Sequence, residues 1–81
     1  MNSPKATRSE TQVEIIYCVE CDLESEAKRL ATAINNRFGL DVELEQGHDG
    51  IFEVRMGDHV LYNNLAQGGQ LPTDEEIMQE L

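Results

Sequence analysis

An alternating β-branched run that passes almost directly into a helical period constrains this chain more than any other feature. Val13, Ile15 and Tyr17 alternate with Glu14, Ile16 and Cys18, the period-two pattern of a strand. Ile16 keeps the second face from being fully polar, which suits a central strand. A few residues on, Leu23, Ala27, Leu30, Ala31, Ile34 and Phe38 recur at spacings of three and four, the apolar stripe of an amphipathic helix. The spacing predicts a helix over 22–38, with Asp22 as N-cap, Glu24 and Glu26 set against the dipole in the first turn, and Gly39 as the C′ stop. Leu40, Val42 and Leu44 then alternate with Asp41, Glu43 and Glu45, a second strand with one wet face. Strand, helix and strand in that order form a right-handed parallel crossover.

Gly47-His48-Asp49-Gly50 is a tight connection, after which Phe52, Val54 and Met56 alternate with Glu53 and Arg55 as a third strand. Gly57-Asp58 fits a two-residue type II′ turn, and His59 to Asn63 complete a hairpin. Asn64 to Gln70, with Gly68-Gly69, reads as a loop. A closing helix starts at Pro72-Thr73-Asp74-Glu75-Glu76, where Thr73 can cap and Glu76 can close a capping box. The order β-α-β-β-β-α implies an α/β chain of the two-layer α+β kind, a four-stranded mixed sheet with both helices on one face. Glu43, Glu45, Glu53 and Arg55 suit the wet face that this leaves. If the second and third strands flank the first, their connection crosses over its end, a span of about 10 Å.

With 81 residues the chain holds one domain, expected over 12–81, preceded by a polar tail over 1–11 that reads as disordered. Sixteen acidic residues against six Lys and Arg give a formal charge of −10. That excess excludes an ordinary nucleic-acid binder and disfavours docking on an anionic membrane. No apolar run approaches the roughly 20 residues of a spanning helix. No secretory signal is readable in Met1 to Thr11, so the expected compartment is a reducing cytoplasm.

Two cysteines exclude a disulfide-rich scaffold. They stand as Cys18-Val19-Glu20-Cys21, between the first strand and the first helix. There the spacing lets the sulfurs close a disulfide across one turn, and a helix N-terminus favours a thiolate. Two other readings remain open. Zinc would need four ligands, with His48 and His59 completing the set, but the topology sends His59 to the far end of the sheet. Alternatively the pair is buried and inert.

Ile15-Ile16-Tyr17-Cys18-Val19-Glu20-Cys21 resembles the redox motif of the selenoprotein W-like (Rdx) family, which also includes selenoproteins T and H. Gly50-Ile51-Phe52-Glu53-Val54, Gly57-Asp58-His59-Val60-Leu61-Tyr62 and Gly69-Gln70-Leu71-Pro72-Thr73 look like its later blocks. The resemblance covers about 12–81. It implies a thioredoxin-like fold and a thiol-linked redox role, often associated with glutathione. Cys21 stands where many members carry selenocysteine, which tells against high peroxidase-type reactivity. Gly50 lies near the place where thioredoxins proper carry a cis-proline.

The expected function is a small thiol–disulfide redox protein cycling Cys18 and Cys21, with no metal or bound cofactor and glutathione as a possible co-substrate. Its partners would be redox proteins or glutathione, with the chain itself a monomer. The alternative is a redox-sensing adaptor that binds a partner without turnover. His48, carried over the end of the first strand, is an auxiliary candidate as charge partner or proton relay. Gly50, Gly68 and Gly69 are auxiliary candidates at the same end. Glu20 and Asp22 bracket Cys21 and oppose its ionisation, which favours Cys18 as the attacking sulfur. In thioredoxin-like chemistry the first cysteine is also usually the exposed one. The family position favours Cys21, but the expected order is Cys18 attacking and Cys21 resolving.

Overall fold

A computed structural model describes residues 13–81, so the tail expected over 1–11 lies outside the described residues. The elements run β1 (Val13–Cys18), α1 (Glu24–Phe38), β2 (Val42–Gly47), β3 (Phe52–Met56), β4 (His59–Asn63), a 3₁₀ turn (Asn64–Gln67) and α2 (Asp74–Glu80). They form one sheet in the order β2-β1-β3-β4. β1 lies parallel to β2, from Val13 opposite Val42 to Cys18 opposite Gly47. It lies antiparallel to β3, with Tyr17 opposite Phe52. β4 returns antiparallel to β3, with a register shift between Val54 and Arg55. The crossover and the central place of β1 are as the alternation pattern implies.

Val13, Ile15 and Tyr17 of β1 meet Phe52 and Val54 of β3 in the core, under Ala27, Leu30 and Ile34 of α1 and Ile77 of α2. Both helices therefore cover one face of the sheet. The opposite face carries Glu14 between Glu43 and Arg55, and Ile16 between Glu45 and Glu53. Glu53 departs from the wet face expected for it, being only 5% exposed. Arg55 Nε and Asn63 Nδ2, the latter at 2.7 Å, satisfy its carboxylate, so burial does not strand the charge.

Local chemistry sets most of the boundaries. Gly39 takes φ +70° and donates its N–H to the Asn35 carbonyl, ending α1. Gly57 takes the positive φ, +62°, that the first central position of the expected hairpin turn requires. Thr73 and Glu76 form the reciprocal capping box. Two readings are corrected. Leu23, not Asp22, is the N-cap of α1, and no side chain caps it. The Asp22 N–H instead turns back to the Val19 carbonyl at 3.4 Å, with φ +60°. Asp22 thus closes the turn of the cysteine motif, in a conformation that Asp tolerates better than most residues. The loop expected after β4 contains the 3₁₀ turn, because the Asn63 side chain accepts from the N–H groups of Leu65 and Ala66.

Arg29 on α1 grips Asp74 at the start of α2 with a two-point fork, 2.8 and 2.9 Å, and also reaches Glu26. The guanidinium holds the Asp74 carboxyl below the usual carboxylate range. Because the folded-state value is depressed, this pair stabilises the fold above the unfolded aspartate value of about 4. The contribution is lost as pH falls through the folded value. Both partners are part-exposed, so Arg29→Met should cost only about 0.5–1 kcal/mol at neutral pH. Urea titrations over a pH series should show that difference shrinking on acidification.

Candidate active site

β1 ends at Cys18, and the chain then makes a tight turn through Val19, Glu20 and Cys21. The two thiols are free, with Sγ atoms 2.7 Å apart. Cys18 is fully buried and Cys21 is exposed. What buries Cys18 is the β2–β3 connection, which crosses the end of β1. The Cys18 N–H donates to the Ile51 carbonyl at 2.8 Å and the Val19 N–H to the Gly47 carbonyl at 3.3 Å. Gly47 allows that approach, since a Cβ there would stand 2.7 Å from Ile51 Cγ2 and 2.8 Å from Ile16 Cγ2. Asp49 and Gly50 take φ +63° and +80° to bring the loop back down.

Buried Asn64 locks the crossing from below. Its Oδ1 accepts from the Phe52 N–H and its Nδ2 donates to the Gly50 carbonyl, both at 2.7 Å. One side chain therefore ties the loop, the start of β3 and the end of β4 together.

Around the sulfurs, charge is distributed unequally. The Cys18 thiol is lowered from its ordinary value, first by the hydrogen bond from Cys21 and then, against the cost of burial, by the backbone N–H groups of Gly50, Cys21 and Glu20. Cys21 is raised, first because its proton is shared with Cys18, then by desolvation and by the charges of Cys18 and Glu20. The thiolate thus sits preferentially on the inner sulfur. This agrees with the charge argument from the sequence. Its structural source is different, because α1 begins only at Glu24 and loop amides do the work expected of the helix N-terminus.

The Rdx family model matches residues 12–81. The chain belongs to the Rdx family. Two curated relatives carry the name Migration and invasion enhancer 1. The mouse protein is 26% identical over 74 residues, 90% of this chain, and the bovine protein 24% over 71 residues, 86% of this chain. The chain spans 64% and 61% of their respective lengths. A crystal structure of a Bordetella parapertussis protein superposes with TM-score 0.78 at 26% identity, covering 83% of this chain and 87% of that one. A selenoprotein W-related protein from Vibrio cholerae superposes with TM-score 0.76 at 24% identity, covering 84% and 88%. The fold of this Rdx chain is accordingly the selenoprotein W-like variant of the thioredoxin-like fold.

The residues singled out in the sequence separate into two groups. Cys18, Cys21, His48 and Gly50 come together at one end of the sheet, with Gly50 offering its N–H to the sulfurs. Gly68 and Gly69 lie at that same end, as the return of β4 requires, but both donate their N–H groups to the Asn64 carbonyl and serve the turn. His59 pairs with Met56 at the other end. Tyr17 is core. The exposure expected for the first cysteine is reversed, because the crossing loop lies over Cys18 while Cys21 sits in the outer turn. Two further residues belong to the site. Asn64 carried no signal beyond following a strand beside a second Asn. Glu20 was read for its charge beside Cys21, whereas its carboxylate also contacts Cys18 and His48. No helix among the described residues is long and apolar enough to cross a membrane.

Asn64→Ala should cost roughly 2 kcal/mol, because it strands the buried Phe52 N–H and removes the tie to the half-buried Gly50 carbonyl. Thermal melting should show the loss. Hydrogen exchange should show faster turnover at Phe52 and in the crossing loop, with α2 little changed.

Proposed function

We propose that this Rdx protein is a thiol–disulfide oxidoreductase that cycles a Cys18–Cys21 disulfide. The observation that carries the reading is the division of labour between the sulfurs: the reachable one is Cys21 and the more ionised one is Cys18. An incoming disulfide must approach in line with the attacking sulfur. Access therefore assigns the first attack to Cys21. With the two sulfurs 2.7 Å apart, the inner thiolate takes the Cys21 proton as Cys21 attacks. A Cys21–substrate mixed disulfide forms and one substrate thiolate leaves. The departing substrate thiolate takes the proton from Cys18, and the Cys18 thiolate then attacks Cys21 Sγ from 2.7 Å. The internal disulfide closes and the second substrate thiolate leaves, so two electrons pass from protein to substrate. Two glutathione molecules, or one thioredoxin-type dithiol, would return the pair to the reduced state. The raised value of Cys21 lowers its thiolate fraction but increases the nucleophilicity of the thiolate formed. The reading places the protein as a monomer in a cytoplasm whose thiol pool supplies the reductant.

Attack order follows from access and is directly measurable. Cys18→Ser should form a long-lived mixed disulfide through Cys21 with a peptide disulfide. Cys21→Ser should react at least about tenfold more slowly while folded, and the two should converge in denaturant, where burial no longer counts. A faster native Cys21→Ser would assign the attack to Cys18.

A further inference from the structure

Glu20 reaches both of the groups that flank it across the site. Its Oε1 lies 3.8 Å from Cys18 Sγ and its Oε2 lies 3.2 Å from His48 Nδ1. The Asp49 N–H also donates to this carboxylate. Two loops distant in sequence are thereby joined through one side chain, with the sulfur on one side and the imidazole on the other. The geometry points to Glu20 as a positioning residue that sets the charge of Cys18, and to His48 as the group that sets the effective charge of Glu20. This rests on the cysteine-cycling reading, since it is the resolving step that needs Cys18 ionised.

The argument is one of facing charges. Cys18 Sγ meets the Cys21 thiol, the Glu20 carboxylate and the N–H groups of Gly50, Cys21 and Glu20. Glu20 meets Cys18, the His48 ring and the Asp49 N–H. Asp22 and Asp49 are the other acids carried by the same two loops. A bare carboxylate beside the sulfur opposes a thiolate and offers an acceptor for the S–H proton. A protonated imidazole on the other oxygen offsets part of that opposition. His48 is thus linked to Cys18 without touching it, and the linkage is reciprocal. Both side chains are well exposed, 66% for His48 and 63% for Glu20, so solvent and salt exchange freely with the pair. That sets the expected effect at a few-fold in thiolate population rather than orders of magnitude.

The test is a titration of Cys18 followed by the ¹³Cβ resonance of labelled cysteine in Cys21→Ser protein, where Cys18 is the one remaining thiol. At a fixed, mildly acidic to neutral pH, Glu20→Gln should raise the thiolate population about threefold and His48→Asn should lower it about threefold. In the Glu20→Gln background, His48→Asn should have no further effect, because the charge through which it acts is gone. Repeating the set in Cys21→Ala protein controls for the serine hydroxyl, and amide spectra confirm that each variant is folded. Opposite signs with loss of the His48 effect support the proposal. Shifts of the same sign, or a His48 effect that survives Glu20→Gln, overturn it. The titration needs no substrate, so its failure leaves the cycling reading intact, and an absence of cycling leaves the titration readable.

Discussion

The passage of the β2–β3 connection over the end of β1 is the constraint on which the rest depends. It follows from the sheet order, because strands adjacent in sequence are separated in space by β1. The connection has only His48 to Ile51 in which to cross. That brevity pulls its backbone onto the strand end, where the Cys18 and Val19 N–H groups take the carbonyls of Ile51 and Gly47. Glycine at position 47 permits the approach, and Asn64 fastens the far side. Burial of Cys18, the amide from Gly50 and the arrival of His48 all come from this one crossing.

The crossing separates two properties that a single exposed cysteine would combine. Ionisation is favoured on the inner sulfur, which loop amides surround. Access belongs to the outer sulfur, in a turn that the left-handed Asp22 closes. In the proposed cycle the outer thiol would meet substrate and the inner thiolate would release it. The cost of burying a charge-bearing sulfur is offset locally, by hydrogen bonds rather than by a salt bridge. Glu20 adds a negative charge to a site that holds a thiolate, and it sits there because the crossing loop supplies His48 and the Asp49 amide to receive it.

Much of this architecture was legible in the residues. Period-two alternation in Val13-Ile15-Tyr17 and Phe52-Val54, the three-four stripe of α1 and the Thr73–Glu76 box report contacts made nearby or on one face, so they survive in a linear reading. From them the strand order followed, and with it the position of His48. What was not legible depends on where a backbone turns or which distant group faces a side chain. Asp22 looks like a cap because its type suits one, yet its N–H is claimed by Val19. Glu53 looks solvent-facing by alternation, yet Arg55 and Asn63 close over it. Glu20 reads as one more acid in a chain of net charge −10 until the crossing loop brings His48 beside it. The relative exposure of the cysteines likewise depends on a loop some thirty residues away, and no local pattern encodes it.

The central claim is that Cys18 and Cys21 act as one two-electron couple. Equilibrating the protein in glutathione buffers of graded potential, trapping with an alkylating agent and counting free thiols by intact mass tests it most directly. The account expects a single reversible transition in which both thiols vanish together, with the slope of a two-electron couple and no stable glutathione adduct on the unsubstituted protein. Two thiols that persist in oxidising buffer, or that are lost one at a time as separate glutathione adducts, would contradict it.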